Sequence, residues 1–215
     1  AEGAIVRYSA GGVEREAKGD AVLVSTGRIP NTRELNLAAA GVETTPRGAI
    51  AVDGNMRTSV SGIWAIGDVA GSPQFTYISQ DDARIVMADF SGGGRTSAGR
   101  NVPYSIFLAP PLSRVGLTEK AALAQGYKTK TAVIPVTGLP RSHVLGKYTG
   151  LLKAVVDADS GLILGAALYC EESHELINIV TLAMNEKLHY TVLRDMIFTH
   201  PVMSEALNDL FGAVK

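Results

Sequence analysis

Residues 62–68 read Gly-Ile-Trp-Ala-Ile-Gly-Asp, a short apolar run that ends in a glycine and a carboxylate. A similar order occurs earlier, where Ala21-Val22-Leu23-Val24 leads into Thr26-Gly27-Arg28. Short apolar runs without polar alternation are typical of strands covered on both faces, as in a parallel sheet flanked by helices. Because open α/β sheets bind ligands where such strands end, the two runs predict an α/β domain with a ligand crevice beside Gly27 and Gly67.

The residues at these two predicted strand ends suit a flat or phosphorylated ligand. A glycine at position 27 or 67 lets backbone amides approach the ligand closely. The carboxylate of Asp68 could accept hydrogen bonds from ribose or ribityl hydroxyls. The alternative is two tight turns in which Asp68 only caps the next segment, and the spacing alone leaves both interpretations open.

A glycine-rich segment at 91–97 is the best linker candidate, and we place a domain boundary between residues 99 and 100. Before it, residues from about 77 to 90 have helical composition. After it, the predicted strands are 104–108, 113–117, 128–136, 151–156 and 162–169, and the predicted helices are 118–125, one beginning at residue 173 and one spanning 203–211. This order predicts an α+β domain with a mixed or antiparallel sheet and helices on one side.

Near the C-terminus, His200-Pro201 precedes Glu205 by a few residues. Pro201 biases His200 away from helix, and Glu205 falls near the start of the last predicted helix. The Glu205 carboxylate could accept a hydrogen bond from one imidazole nitrogen and leave the other free for proton transfer. The alternative is a histidine near a helix start and a glutamate that complements the helix dipole.

A third group contains Cys170, Glu171, Glu172, His174 and Glu175, which invites a metal hypothesis. Cys170 ends an apolar run, where a free cysteine is usually a small buried hydrophobic residue. One cysteine and one histidine are too few for a closed site, so we predict no metal site. Because Cys170 is the only cysteine, one copy of this chain cannot contain a disulfide or a two-cysteine redox centre.

Composition narrows the possible partners. Lys and Arg total 20 against 21 Asp and Glu, a net charge of -1, which argues against nucleic acid or an anionic membrane as the main partner. No apolar run approaches the ~20 residues that span a bilayer. The first residues lack the pattern of a secretory signal, so we expect a cytoplasmic protein.

Taken in order, these motifs resemble the C-terminal portion of the flavoprotein pyridine nucleotide–disulfide oxidoreductases, which include glutathione reductase, dihydrolipoamide dehydrogenase and mercuric reductase. The segment 21–31 is similar to the family's return from the NAD(P) domain to the FAD domain. Residues 57–68 are similar to its FAD signature, which ends in Ala-(Ile/Val)-Gly-Asp. Residues 101–215 resemble its interface domain, which closes with His-Pro-x-x-Ser-Glu at 200–205. The stretches 170–174 and 197–211 look closest to a bacterial branch that includes the reactive-chlorine-resistance flavoproteins.

The resemblance implies roles for individual residues. Thr26, Gly27, Gly67 and Asp68 would belong to the FAD site, with Asp68 binding ribityl or ribose oxygens. His200 would be the acid/base that serves the active-site thiol, and Glu205 would orient it. In the family this pair is delivered across a twofold interface to the other subunit, which implies a homodimer. The substrate would be a small molecule or a thiol/disulfide, or else a metal or another oxidant, reduced with NAD(P)H as the electron donor.

The family's FAD fingerprint, redox cysteine pair and NAD(P) fingerprint are absent from these 215 residues. We therefore expect a C-terminal fragment, with the end of the FAD-binding region at 1–99 and the dimerisation domain at 100–215, that is inactive alone. Two alternatives stay open. One is a dimerisation module without catalysis, and the other is a flavin transhydrogenase that lacks redox cysteines.

Overall fold

The computed structural model describes residues 3–215, which form two compact units divided between Ser97 and Ala98. The first unit contains one hairpin and one long helix, and the second contains an antiparallel sheet flanked by helices. The predicted combination of α/β and α+β structure is confirmed at this level.

In the first unit, β1 (Ala4–Ala10) and β2 (Val13–Gly19) pair antiparallel, from Ala4 opposite Gly19 to Ala10 opposite Val13. The turn between them uses Gly11 and Gly12, which both adopt positive φ angles that L side chains resist. Residues 4–19 therefore form a β-hairpin. The rest of the unit contains 3-10 turns at Arg33–Leu35 and Gly67–Ala70 and the helix α1 (Thr76–Phe90).

The prediction of a strand before Gly27 and another before Gly67 is wrong. Residues 21–24 have no regular structure, and Leu23 is 90% exposed. Residues 62–66 contribute only one isolated bridge, between Trp64 and Arg57. An extended segment becomes a strand only when a neighbour supplies hydrogen bonds, and no segment among residues 3–215 pairs with residues 21–24.

The small core of the first unit lies between the loops that precede α1. Its buried members are Val42, Ile50 and Ala65. Hydrogen bonds to Asp89 also connect α1 to the loops before it. Arg57 donates from Nε and Nη2 to the two carboxylate oxygens of Asp89, at 2.8 and 2.5 Å. Trp64 Nε1 also donates to Asp89, at 3.1 Å.

The second unit is built on a five-stranded sheet in the order β3-β4-β7-β6-β5, and every pair in it is antiparallel. The strands are β3 (Tyr104–Ile106), β4 (Leu112–Gly116), β5 (Thr129–Pro135), β6 (Leu151–Asp157) and β7 (Ile163–Tyr169). All five lie within the predicted ranges or differ from them by one residue at an end. Of the two sheet types expected, the antiparallel one forms.

Five helices accompany this sheet: α2 (Glu119–Ala124), α3 (Pro140–Leu145), α4 (Ser173–Asn185), α5 (Thr191–Asp195) and α6 (Ala206–Gly212). The helices α4 and α6 supply most of the helical part of the core, where Leu152 and Leu168 from the sheet pack with Leu207, Leu210 and Phe211. Short 3-10 turns occupy Val136–Gly138 and Met203–Glu205.

The expectation that all helices lie on one side of the sheet is wrong for α2. Its first residue, Glu119, accepts a hydrogen bond from Lys153, whose side chain alternates along β6 with the core residues Leu152 and Ala154. The helix therefore lies at the opposite face. Its predicted start is confirmed, because the Thr118 hydroxyl accepts a hydrogen bond from the Ala121 amide as an N-cap. The short helices α3 and α5 were not predicted.

Candidate functional site

In the first unit, the two glycine-containing segments that stand forty residues apart in the sequence come together. Asp68 lies on the 3-10 turn Gly67–Ala70, and its carboxylate is 3.9 Å from the Arg28 guanidinium. Gly67 has a φ of +69°, and a side chain there would bring its Cβ within 2.9 Å of Ser79 Cβ. The turn therefore requires glycine both for its backbone conformation and for its approach to α1.

A surface cavity of about 830 Å³ opens beside this turn. It is lined by three loops, which contribute Arg28, Arg47, Asp68 and Ser72 among others. Two guanidinium groups suit a phosphorylated ligand, and an exposed carboxylate with a hydroxyl suits a polyol. Of the predicted cofactor residues, Asp68 lines the cavity. Thr26, Gly27 and Gly67 precede lining residues in the chain and do not line the cavity themselves.

Sequence reasoning missed Asp82, which is fully buried on α1. Its Oδ2 accepts hydrogen bonds from the Gly67 amide at 2.8 Å and from Ser72 Oγ at 2.7 Å. The signal that could have revealed it is its place among Ile78 and Ile85, which are buried at positions i−4 and i+3 of the same helix face. A carboxylate on the buried face of a helix indicates that hydrogen-bond donors lie next to it.

In the second unit, the predicted histidine–carboxylate pair forms. His200 Nδ1 and Glu205 Oε2 are 2.9 Å apart, and the His200 side chain is 67% exposed against 17% for Glu205. Pro201 follows a cis peptide bond, and Glu205 ends the 3-10 turn that leads into α6. Because a carboxylate can only accept, this geometry favours the tautomer with the proton on Nδ1 and leaves Nε2 as a proton acceptor facing outward.

The Glu205 carboxylate has one oxygen turned into the protein. Its second oxygen, Oε1, is buried and has no hydrogen-bond partner among residues 3–215. Asp209 lies one helical turn further on, and its pKa is raised, first by burial and second by the charge of Glu205. Glu205 is thus held in a position from which one oxygen reaches the imidazole and the other stays in the protein.

The third group considered from the sequence contains a buried thiol. Cys170 is 1% exposed, and burial raises the pKa of its thiol to about 12, with Glu171 and Glu172 adding to the shift. His174 instead contacts the Phe107 ring. Among residues 3–215, no three His, Cys, Asp or Glu side chains are arranged to hold a metal ion. Within the same residues, no helix is long and apolar enough to cross a membrane.

Two family models match this chain. Residues 102–211 match the pyridine nucleotide-disulphide oxidoreductase dimerisation domain, and residues 5–83 match the domain described as pyridine nucleotide-disulphide oxidoreductase. The chain therefore belongs to the pyridine nucleotide-disulphide oxidoreductase family. The resemblance stated from the motifs is confirmed.

Individual relatives narrow the comparison. A probable pyridine nucleotide-disulfide oxidoreductase, RclA from Escherichia coli strain K12, is 50% identical over 198 residues, which is 91% of this chain and 45% of the relative. A mercuric reductase from Shigella flexneri is 35% identical over 192 residues, covering 89% of this chain and 34% of that enzyme. The chain thus spans less than half the length of these curated relatives.

This chain is also similar to a solved structure of RclA. It is a Cu(II) complex of the HOCl-induced flavoprotein disulfide reductase RclA from Escherichia coli, with a TM-score of 0.89 and 46% identity over 98% of this chain and 48% of that one. The expected similarity to the reactive-chlorine-resistance branch is confirmed.

Proposed function

We propose that this chain supplies part of the FAD site, the dimer interface and the acid/base pair of an NAD(P)H-dependent flavin disulfide reductase. The observation that carries the proposal is the 2.9 Å contact between His200 Nδ1 and Glu205 Oε2 on an imidazole that is mostly exposed. A histidine that only completed a core would be buried and paired on both sides.

The pair moves one proton. Glu205 holds the Nδ1–H, so Nε2 can take the proton of a thiol and leave a thiolate, the nucleophile in disulfide exchange. The resulting imidazolium is stabilised by the Glu205 carboxylate. In the reverse direction Nε2–H returns the proton to the departing thiolate, so charge and protons balance over one cycle.

The loops of the first unit fit FAD. The Asp68 carboxylate can accept hydrogen bonds from the hydroxyls of the cofactor, and Arg28 beside it offers a cation for its phosphates. The flavin, when bound, passes electrons from the reduced nicotinamide to the disulfide. The residues of this chain bind and orient it, and supply no electrons themselves.

A second copy of the chain would complete the site. Ile197, three residues before His200 in the chain, is 96% exposed. A large apolar side chain with so much exposed surface is expected where a partner covers it. We propose that the partner is another copy of this chain and that each His200 serves the flavin of the opposite subunit.

The test uses a chimera in which this chain replaces the segment of E. coli RclA that it matches. We expect the purified chimera to be yellow and dimeric, and to reduce a disulfide or another oxidant with NAD(P)H. His200→Ala should slow reoxidation of the reduced enzyme by a disulfide by ~10²-fold or more and leave reduction by NAD(P)H unchanged. His189→Ala is the matched control, since that exposed imidazole bonds Thr191 and no carboxylate.

Mixed dimers test the exchange of residues between subunits. One subunit carries His200→Ala and the other carries Asp68→Ala, so each parent dimer lacks one function. If His200 acts across the interface, mixing restores one working site per hybrid dimer. If activity is not restored although hybrids form, His200 acts within its own subunit. A colourless dimeric chimera would instead support a dimerisation module without catalysis.

A further inference from the structure

Asp82 is a carboxylate placed where the helix pattern calls for an apolar side chain. It lies between Ile78 and Ile85 on the buried face of α1 and has no exposed surface. Burying a carboxylate costs free energy unless hydrogen bonds compensate for its lost water. Its position therefore needs a reason beyond packing.

The reason lies in what its Oδ2 atom holds. This one oxygen accepts hydrogen bonds from the Gly67 amide and from Ser72 Oγ, at 2.8 and 2.7 Å. Gly67 begins the turn that carries Asp68, and Ser72 stands just beyond the end of that turn. Both ends of the turn are thus attached to a single point on a fifteen-residue helix.

Hydrogen bonds within the turn fix little of its shape. Glycines stand at both ends, Gly67 with a φ of +69° and Gly71 with a φ of +74°, and glycine is the residue with the most conformational freedom. Inside the turn, one hydrogen bond runs from the Gly71 amide to the Asp68 carbonyl. The Ile50 amide donates to the Val69 carbonyl, and Val69 and Ala70 pack against the small core. The attachment at Asp82 adds a fixed point on either side of Asp68.

We propose that Asp82 is a positioning residue for the flavin site, which it serves by holding the Gly67–Ala70 turn so that the Asp68 carboxylate faces the hydroxyls of the cofactor. The inference rests on the proposed function, because it gives Asp68 the role of a flavin ligand. Asp82 itself does not contact the cofactor, since it is buried behind the turn.

The experiment measures FAD affinity of the apo-chimera by flavin fluorescence, together with the thermal midpoint of each variant. Asp82→Ala removes both hydrogen bonds and should weaken FAD binding by about tenfold or more. Asp82→Asn can place its amide oxygen where Oδ2 was and accept both bonds as a neutral group, so its affinity should fall between those of the alanine variant and the parent. Hydrogen exchange at the Gly67 amide should speed up in the same order.

Asp89→Ala and Asp89→Asn are the matched controls. Asp89 is a second carboxylate on α1, but it bonds Arg57 and Trp64 and does not touch the turn. These variants should lower the thermal midpoint and leave FAD affinity within about threefold of the parent. If FAD affinity follows the thermal midpoint across both positions, Asp82 is only a structural residue and the inference is overturned.

Two further outcomes are decisive. If Asp82→Ala does not fold, Asp82→Asn against Asp89→Asn decides the question, with a loss of about threefold or more expected only at position 82. A parent chimera that binds no FAD overturns the proposed function. A parent that binds FAD while every Asp82 variant binds it equally well overturns the role of Asp82 alone.

Discussion

Replacing Glu205 by glutamine tests how much the orientation of His200 contributes to proton transfer. The substitution keeps the shape of the side chain and removes its charge. If the amide oxygen faces Nδ1, the NH₂ group takes the place of Oε1, which is buried without a partner among residues 3–215. If the NH₂ group faces Nδ1 instead, it donates to that atom and forces the proton onto Nε2, which is the wrong tautomer for a base.

The size of the effect follows from the first of these two arrangements. A hydrogen bond to a charged group contributes ~1.5–3 kcal/mol and a neutral one ~0.5–1.5 kcal/mol, so exchanging one for the other costs about 1–1.5 kcal/mol. Since 1.36 kcal/mol corresponds to tenfold in rate, thiol-dependent reoxidation should slow about five- to thirteenfold. His200→Ala removes the base itself and should cost more, by ~10²-fold or above.

Rapid mixing separates the two half-reactions of the chimera. Reduction by NAD(P)H should be unchanged in Glu205→Gln, and reoxidation by a disulfide should be slower. Glu186→Gln is the control, because Glu186 is an exposed side chain at the C-terminal end of α4. The reasoning is refuted if Glu205→Gln reoxidises at the parent rate, or if both half-reactions slow to the same extent.

Other predictions concern stability and reactivity. The hydrogen bond from Arg57 holds the pKa of Asp89 below its ordinary value of 3.8, so the stability it adds is present above that pH and is lost as the pH falls through the folded-state pKa. The thermal midpoint of Asp89→Asn, followed by the fluorescence of Trp64, the only tryptophan, should be lower than that of the parent at pH 7 and converge with it in acid. The Cys170 thiol, with its pKa raised to about 12, should resist alkylation at pH 8 until the protein is unfolded, and rapid labelling of the folded chain would contradict its burial. Gly150→Ala should fold poorly, because its Cβ would fall 1.9 Å from the Tyr169 carbonyl oxygen at a φ of +133°. Gly138→Ala, which meets nothing within 4 Å, should retain the parent's thermal midpoint and soluble yield.

The second unit was largely predictable because its signals are local. The strands β6 and β7 are apolar runs joined by the turn residues 157–161, and hairpin partners are close in sequence. The helical spacing of Leu176, Val180 and Ala183 in α4 likewise predicts a face that the structure buries in the core. The short helices α3 and α5 were not predicted, because five or six residues are too few to show a helical period.

The first unit was less predictable because its signals depend on distant partners. The apolar run 21–24 indicates a surface suited to burial, but composition does not say which segment covers it. In the structure it pairs with nothing among residues 3–215, and it is exposed. The sequence predicted that the loops carrying Arg28 and Asp68 lie at one crevice, but not that the two side chains are close. Opposite charges forty residues apart in the sequence do not indicate how far apart they lie in the structure.

The same arrangement recurs in both candidate sites and explains which supporting residues sequence can reveal. In each site an exposed candidate residue, Asp68 in one unit and His200 in the other, is accompanied by a more buried carboxylate. Glu205 bonds the imidazole directly, and Asp82 bonds the turn that carries Asp68. Glu205 was found because it lies five residues from the imidazole, within reach of local reasoning. Asp82 lies fifteen residues from the glycine whose amide it accepts, and only the packing of α1 against the turn brings them together. Burial of a polar side chain has to be compensated by hydrogen bonds to other residues. A polar residue on the apolar face of a helix is therefore the sequence feature that can reveal a positioning residue far along the chain from the site.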